Sequence, residues 1–281
     1  MMPTVADTLR SAARSLQFHS ESPRLDAELL LAKTLGVSRS GLIAHGNDVV
    51  AGEREREFSA LIERRLAGAP IAYLTGTREF WSLALDVTPD VLVPRPETEL
   101  LVELALQFLP GARGSSVLDL GTGSGAVALA IASERPRSAV TAVDISAPAL
   151  DVAIQNSRKL GVSRIDWRLG NWFAPVSGER FDMILANPPY IAAADPALQK
   201  LSAEPAIALC PGLTGLEALA VIIAAAPAYL NEGGRLILEH GSDQALAVAQ
   251  LLQRHGFGAV CSHFDFSGKP RVTLGLVQSL H

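Results

Sequence analysis

From residue 97 onward, strand-like and helix-like segments alternate along the chain. Apolar runs with β-branched residues, such as "SSVLDLG", "AVTAVDIS" and "FDMILA", are separated by segments with helical apolar spacing, such as "AVALAIASE" and "PALDVAIQNSRKLG". The pattern continues through "GRLILEHG", "SDQALAVAQLLQRHG" and "RVTLGLV". Strands interleaved with helices in this way form right-handed βαβ units. We therefore predict an α/β fold with a doubly wound, mostly parallel sheet.

Residues 1–72 give helix signals only. The helix "RLDAELLLAKTLG" can be capped by Ser22, start at Pro23 and end at Gly36, and "GEREREFSALIERRLAG" places its apolar residues on one face before Gly68. The stretch "FWSLALDVTPDVLVPRP" then alternates like a strand or hairpin interrupted by prolines. We predict a small helical bundle over 1–72, a linker or hairpin over 73–96 and an α/β domain over 97–281.

Composition and charge exclude several classes of protein. Two cysteines, Cys210 and Cys261, are too few for a disulfide framework, and no Cys/His cluster has metal-ligand spacing. The formal net charge of −5 argues against a nucleic acid as the main partner, and "LAVIIAAAPAYL" falls short of the ~20 residues of a bilayer span. The N-terminus lacks the pattern of a signal peptide. We expect a soluble, cytoplasmic monomer without metal, membrane or direct nucleic-acid contact.

A glycine-rich loop in "VLDLGTGSGAVALA" leads from a predicted strand into a helix. Gly121, Gly123 and Gly125 let the backbone turn tightly and approach a ligand at the helix N-terminus. The G-x-G-x-G spacing lacks the Lys of a P-loop and the G-x-G-x-x-G of the dinucleotide fingerprint. Asp119 precedes the loop, where a carboxylate suits a cationic amino-acid group, and Asp144 ends the next strand, where an acid accepts ribose hydroxyls. These positions predict a nucleotide-like cofactor.

The segment "GNWF" follows "RIDWRLG", the third predicted strand of this domain. It places Asn171 where an adenine amine can be bound and Trp172 where the ring can be covered. Taken alone, Trp172 fits a protein core as well as a cofactor wall.

The fourth strand, "FDMILA", is followed directly by Asn187, Pro188, Pro189 and Tyr190. In doubly wound sheets, ligands bind beyond the carboxyl ends of the strands. The Asn187 side-chain carbonyl and the Pro188 backbone carbonyl offer two acceptors for the hydrogens of a planar NH2 group. Pro189 stiffens the turn, and Tyr190 provides a face for stacking. The pattern predicts a site that holds an sp2-bound NH2 against an electrophilic methyl group, although a simple strand-ending turn has the same composition.

The motifs "DLGTGSG" and "NPPY" together resemble the class I S-adenosylmethionine-dependent methyltransferases that modify a planar nitrogen, either of adenine or of glutamine. The segment "RLAGAPIAYLTGTREFWSLALDVTPDVLVPRPETELLVE" is similar to the linker of the release-factor glutamine methyltransferases, the PrmC/HemK group. The similarity continues in "RLDAELLLAKTLGVSR", "EPAIAL", "GGRLILEHG" and "RVTLG". It therefore spans nearly the whole chain.

This resemblance implies a seven-stranded class I methyltransferase domain with an N-terminal bundle that docks class I peptide chain release factors. The implied reaction methylates the side-chain amide nitrogen of the glutamine in the Gly-Gly-Gln motif and leaves S-adenosylhomocysteine. The implied glutamine pocket is Asn187, Pro188, Pro189 and Tyr190. The implied cofactor contacts are Gly121, Thr122, Gly123, Ser124, Gly125, Asp144, Trp172 and Asn187.

Alternatives remain at this stage. The sister family that methylates ribosomal protein L3 shares NPPY but typically has "PRSPIGE" in the linker, where this chain has "PRPETE". An adenine-N(6) nucleic-acid methyltransferase would need a basic recognition segment, and a binding module without turnover would have damaged motifs. Two positions depart from the family: Asn171 and Thr214 each stand where Asp is common. The first is expected to weaken adenine binding and the second to alter a local turn.

Overall fold

The computed structural model describes residues 3–111 and 114–277. The chain divides into two compact units between Thr77 and Arg78. The segment 73–96, which the sequence predicts as a linker, is split by this boundary, and the predicted domain bounds stay a prediction.

The described part of the first unit consists mainly of helices. They are α1 (Val5–Ser15), α2 (Pro23–Leu35), α3 (Arg39–Ala44), α4 (Glu53–Leu66) and α5 (Ile71–Thr75). Thr4 and Asp7 form a reciprocal capping box at the start of α1. Gly36 ends α2 in the left-handed conformation, as predicted, but the Ser22 side chain makes no capping hydrogen bond at its start.

Helix α4 packs its apolar face into the core of the first unit, as its spacing predicts. Phe58, Leu61 and Ile62 are buried in one cluster with residues of α1 and α2. The Arg65 guanidinium pairs with the buried Asp26 carboxylate, with Nε and Oδ2 2.8 Å apart, and so joins α4 to α2. A shared apolar core is what short amphipathic helices require for stability.

The second unit begins within a two-stranded hairpin, at Arg78, and continues as an α/β domain. The hairpin strands are β1 (Thr77–Phe80) and β2 (Leu83–Asp86). The helices are α6 (Glu99–Phe108), α7 (Ala126–Glu134), α8 (Ala147–Leu160), α9 (Ala197–Lys200), α10 (Glu217–Ala225) and α11 (Ala245–Arg254). The sheet strands are β3 (Ser116–Leu120), β4 (Ala139–Asp144), β5 (Ile165–Leu169), β6 (Phe181–Ala186), β7 (Leu230–Glu239), β8 (Phe257–Phe264) and β9 (Pro270–Val277).

The main sheet has seven strands in the order β5-β4-β3-β6-β7-β9-β8. Strands β3 to β7 run parallel, whereas β9 pairs antiparallel with β7 and with β8. Helices α6 and α7 pack on one face, and α10 and α11 pack on the other. The predicted doubly wound, mostly parallel α/β fold is confirmed.

Strand β8 was missed by the sequence reasoning. After the buried Phe257 its residues mostly alternate between partly buried and exposed, and it lies at the edge of the sheet, where β9 is its only partner among the described strands. Ala259 has a φ of 46°, and the register with β9 shifts between Gly258 and Cys261. A bulged edge strand has little apolar periodicity, because only part of one face is covered.

The parallel strands place four chain segments at one edge of the sheet. Strand β3 ends at Leu120, β4 at Asp144, β6 at Ala186 and β7 at Glu239. The strand order reverses at β3, which lies between β4 and β6. A crevice opens at such a switch point beyond the carboxyl ends of the strands.

Candidate active site

The glycine loop connects β3 to α7 by a tight turn. Gly121, Gly123 and Gly125 have φ values of 72°, 55° and 82°, which other residues adopt only with strain. The backbone N–H groups of Gly121 and Thr122 donate to the Val143 carbonyl at 2.8 and 3.0 Å. These bonds fix the loop against the end of β4.

The Asp144 carboxylate lies beside this loop. Its Oδ2 accepts from the Gly123 N–H at 2.8 Å, and its Oδ1 accepts from the Ser146 N–H at 2.9 Å. Burial raises the pKa of Asp144, and the backbone bonds oppose that rise. Each carboxylate oxygen can accept more than one hydrogen bond, so the group can still receive ligand hydroxyls.

Asp119 lies deeper, below the loop. It is buried, and its Oδ2 accepts from the Thr122 hydroxyl at 2.7 Å. Burial raises the pKa of Asp119 to about 7 against the opposing effect of the Thr122 bond. Ser124 is also buried, and its carbonyl accepts from the Asn156 side chain at 2.9 Å.

A cavity of about 370 Å³ opens in front of the loop, within the usual ~300–1,000 Å³ of small-molecule sites. Of the predicted cofactor and substrate residues, its lining includes Gly121, Gly123, Asp144, Trp172, Asn187 and Pro189. Asp119, Thr122 and Ser124 line a smaller cavity that shares Gly121, Gly123 and Asn187 with the first.

The three glycines differ in what surrounds them. A Cβ on Gly121 would lie 3.5 Å from the Trp172 ring, and a Cβ on Gly123 would meet no protein atom within 4 Å. The open space at Gly123 is therefore the cavity itself, which fits a ligand lying against the loop backbone. Gly125 lines neither cavity, and a Cβ there would approach Ala153, Leu129 and Trp167 at 3.1 Å. Its predicted cofactor contact stays a prediction.

The Asn187–Tyr190 turn follows the end of β6. The Asn187 Nδ2 donates to the Thr98 hydroxyl at 3.1 Å, and Pro188 is buried. The Tyr190 hydroxyl donates to Glu239 Oε1 at 3.2 Å. Burial raises the pKa of Tyr190, and the nearby Glu239 charge adds to the rise. The phenol is therefore neutral across the physiological range.

Two of these partners, Thr98 and Glu239, were missed by the sequence reasoning. Glu239 is buried, and burial raises its pKa to about 7. The available signal was a carboxylate at the end of the apolar run "RLILE", since buried acids require specific partners. Thr98 had no such signal, because an uncharged threonine in the polar stretch "PRPETE" is typical of an exposed position.

A second pair of missed residues, Glu204 and Arg95, joins two segments that line the cavity. Glu204 is buried, accepts from the Val93 N–H at 3.1 Å and pairs with the Arg95 guanidinium. The cavity lining includes Val91 and Leu92 on one side of this connection and Pro205, Ile207 and Ala208 on the other. Glu204, the first residue of "EPAIAL", therefore joins the two segments that form this part of the cavity wall.

The two departures from the family pattern have defined positions. Asn171 is exposed and lines the cavity next to Trp172. The Thr214 hydroxyl accepts from the Leu216 N–H at 3.2 Å, and its own N–H donates to Glu217 Oε1 at 2.8 Å. A hydroxyl thus closes the turn in which Asp was expected.

Within residues 3–111 and 114–277, no group of three or more His, Cys, Asp or Glu side chains is arranged to hold a metal ion. The helices found in this part are too short or too polar to cross a bilayer. Cys210 and Cys261 are free thiols, and Cys210 lines the cavity.

Comparisons with known proteins agree in both units. Residues 7–76 match the family model of the PrmC N-terminal domain, and residues 97–260 match that of the methyltransferase small domain. The release factor glutamine methyltransferase of Xylella fastidiosa (strain Temecula1) is 47% identical over 276 residues, with 98% of each chain covered. The one from Yersinia pestis is 49% identical over 259 residues, with 92% of this chain and 93% of the relative covered.

A solved structure shows a similar fold. The crystal structure of a methyltransferase from Pyrococcus furiosus has a TM-score of 0.55 and 20% sequence identity, covering 70% of this chain and 90% of that one. At this identity the likeness shows the fold alone.

Proposed function

This chain belongs to the release factor glutamine methyltransferase family, and we propose that it methylates the glutamine amide nitrogen in the Gly-Gly-Gln motif of class I peptide chain release factors. One observation carries the proposal: Asn187 and Pro189 line the same cavity as Gly121, Gly123 and Asp144, whereas Pro188 and Tyr190 of the turn are not part of its lining. A site for a nucleotide-like cofactor therefore adjoins the Asn187 amide, whose carbonyl is one of the two acceptors proposed below. The names of relatives that match nearly the full chain support the choice of substrate.

S-adenosylmethionine supplies an electrophilic methyl group on a sulfonium when it is bound. The residues present fit this molecule. Asp144 at the cavity wall offers acceptors for ribose hydroxyls, Trp172 offers a face for adenine, and the open position at Gly123 permits close backbone approach. Asp119 and Thr122 line the adjoining smaller cavity, where a carboxylate suits a cationic amino group.

Asn187 and Pro188 hold the acceptor nitrogen in the proposed site. Because Thr98 binds Nδ2 of Asn187, the Oδ1 atom faces the other way and offers a carbonyl acceptor. The Pro188 carbonyl is the second acceptor, so both N–H bonds of a planar NH2 can be fixed. Orientation of this kind contributes up to roughly 7–11 kcal/mol in favourable intramolecular reactions.

The nitrogen gains a methyl group and loses one N–H proton in the overall reaction. A carboxamide nitrogen is a weak nucleophile, because its lone pair is delocalised into the carbonyl. The carbonyls of Asn187 and Pro188 are weak bases, so we propose that the proton leaves late, to water. Fixed dipoles in a site sheltered from water suit a reaction in which the positive charge becomes dispersed.

The first unit is proposed to dock the release factor, because residues 7–76 match the PrmC N-terminal domain model. Residues 1–75 carry nine acidic and nine basic side chains, so this part has no excess charge for a polyanion. We propose a protein partner, no direct nucleic-acid contact, and action as a monomer in the cytoplasm.

The test is methyl transfer from labelled S-adenosylmethionine to three acceptors assayed in parallel. These are an unmodified class I release factor, ribosomal protein L3 and adenine-containing DNA, with peptide mass spectrometry to locate the label. A release factor with glutamate in place of the Gly-Gly-Gln glutamine is the matched control, because it lacks the NH2 group. Label on that glutamine alone is expected, whereas label only on L3 or DNA would overturn the substrate assignment.

A further inference from the structure

Asn187 and Glu239 lie beside each other at the ends of two neighbouring strands. Ala186 of β6 pairs with Leu238 of β7, and the next residues in the two segments are Asn187 after β6 and Glu239 in β7. Thr98, at the end of the short 3-10 turn Pro96–Thr98, contacts this edge through its bond to Asn187. Thr98 and Glu239 are 5% and 1% exposed, so water does not compete strongly for their polar atoms.

The orientation of the Asn187 amide decides what it can bind. An amide carries an acceptor at Oδ1 and two donors at Nδ2, with nearly the same shape. With Oδ1 toward the substrate, the amide accepts from the substrate NH2. With Nδ2 toward the substrate, two N–H donors face each other and no hydrogen bond forms. In the structure the Thr98 hydroxyl accepts from Nδ2 at 3.1 Å, so the amide is in the first orientation.

A hydroxyl that accepts from Asn187 still has its own proton to donate. Glu239, at the end of the neighbouring strand, is a buried carboxylate whose pKa the Thr98 and Tyr190 hydroxyls lower against the stronger effect of burial. Its Oε1 accepts from the Tyr190 hydroxyl at 3.2 Å, whereas Oε2 has no hydrogen-bond partner among the residues described. A buried carboxylate oxygen without a full set of donors is costly, so a role beyond stability is expected.

We propose that Thr98 and Glu239 are positioning residues for methyl transfer: Thr98 holds the Asn187 amide in the orientation that accepts from NH2, and Glu239 holds the Tyr190 hydroxyl at the other end of the turn. The inference rests on the proposed function, since it assumes an acceptor NH2 bound by Asn187. Neither residue needs to touch the substrate. Their effect is expected in turnover and not in cofactor affinity.

The experiment compares Thr98→Val with Thr98→Ser. Valine keeps the shape but removes the hydroxyl, and serine keeps the hydroxyl. We expect Thr98→Val to lower kcat about 10–100-fold, as misplacement of a reacting group does, with the Kd for S-adenosylmethionine changed less than about threefold. Thr98→Ser should stay within about threefold of the wild-type kcat.

The control variant is Thr141→Val. Thr141 is 8% exposed on β4, in the same unit and away from the turn, so it reports the general effect of replacing a buried threonine by valine. Its kcat should stay within about twofold of wild type. The inference is wrong if Thr98→Val also keeps kcat within about twofold, or if Thr98→Ser is as impaired as Thr98→Val.

A pH profile provides a readout that a purely structural role would not change. Glu239 is faced by Tyr190, Thr98, Arg271 on β9 and Glu97, and burial raises its pKa to about 7. If the ionised carboxylate is required, the wild-type kcat rises with pH through about 7. Glu239→Gln should lower kcat and abolish this rise. If kcat of Glu239→Gln rises with pH as it does in wild type, the positioning role of Glu239 is contradicted.

The variants are assayed on each of the three acceptors used above. If wild type labels L3 or DNA instead of a release factor, the proposed substrate is wrong, but the ratio of Thr98→Val to wild type still tests the positioning role. If wild type labels the release factor and Thr98→Val is equally active, the substrate stands and the inference fails. If wild type labels none of them, both fail.

Discussion

Replacing Gly123 or Gly125 by alanine should separate ligand binding from folding. The two glycines have φ values of 55° and 82°, so each alanine incurs a left-handed backbone cost of about 1–2 kcal/mol. The new Cβ meets no protein atom within 4 Å at Gly123 but three side chains at 3.1 Å at Gly125. Overpacking of a core typically costs about 1–3 kcal/mol, and this cost applies at Gly125 only.

The backbone cost and the gain from a less flexible unfolded chain are similar in the two variants, so the comparison isolates packing. We expect Gly125→Ala to be less stable than Gly123→Ala by about 1–3 kcal/mol. For a domain of about 150–250 residues this corresponds to a Tm lower by roughly 2–12 °C. Urea unfolding and thermal unfolding, both without ligand, measure the difference.

S-adenosylmethionine affinity should be affected in the opposite way, with the larger loss in Gly123→Ala. The Gly123→Ala methyl group projects into the cavity, whereas Gly125 lines neither cavity. Isothermal titration calorimetry with S-adenosylmethionine should give a higher Kd for Gly123→Ala and a nearly unchanged Kd for folded Gly125→Ala. Equal stabilities, or weaker binding in Gly125→Ala than in Gly123→Ala, would refute the distinction between the two glycines.

Three further predictions concern polar groups. Asn187→Ala should abolish methyl transfer, because one of the two acceptors for NH2 is lost, and should change cofactor affinity only modestly. Radiolabel transfer measures the activity and calorimetric titration the affinity. Retained activity would rule out the two-acceptor account. Asp144→Asn should weaken the Kd for S-adenosylmethionine about 10–100-fold, because a hydrogen bond to a charged group contributes about 1.5–3 kcal/mol, whereas the exposed control Asp151→Asn should not. The contribution of Asp119 and Glu239 to stability should fall as pH rises from about 4 to 7. Burial raises the folded-state pKa of Asp119 from 3.8, and that of Glu239 from 4.5, to about 7, so these two groups bind more protons in the folded than in the unfolded state in this range. Urea unfolding between pH 4 and 7 should therefore show a shallower loss in Asp119→Asn, and an unchanged slope would contradict the raised pKa.

Much of the fold could be predicted because the second unit is built from regular βαβ units. The predicted helix "AVALAIASE" coincides with α7, and the strand "FDMILA" with β6. The failure at β8 has a physical cause, since an edge strand with a bulge has no continuous buried face to impose a pattern. The apolar segment "GLEALAVIIAAAPAYL", whose spacing predicts one helix, is interrupted: α10 ends at Ala225, and a 3-10 turn containing Pro227 follows.

The sequence by itself determined the residues whose chemistry is local. The glycine loop, Asp144 and the Asn187–Tyr190 turn can be read from short motifs, because a turn residue or a strand-end acid has its role within a few positions of chain. Parallel strand order then brings them to one edge.

Only the tertiary structure decided which groups stand behind these motifs. Thr98 and Asn187 are 89 positions apart, and Tyr190 and Glu239 are 49 apart, yet each pair is within hydrogen-bond distance. The tertiary structure likewise assigned Gly125 to packing and Gly123 to the cavity, although both belong to one motif. The reason is that a local pattern specifies backbone shape, whereas burial and long-range partners arise only when distant strands and helices pack together.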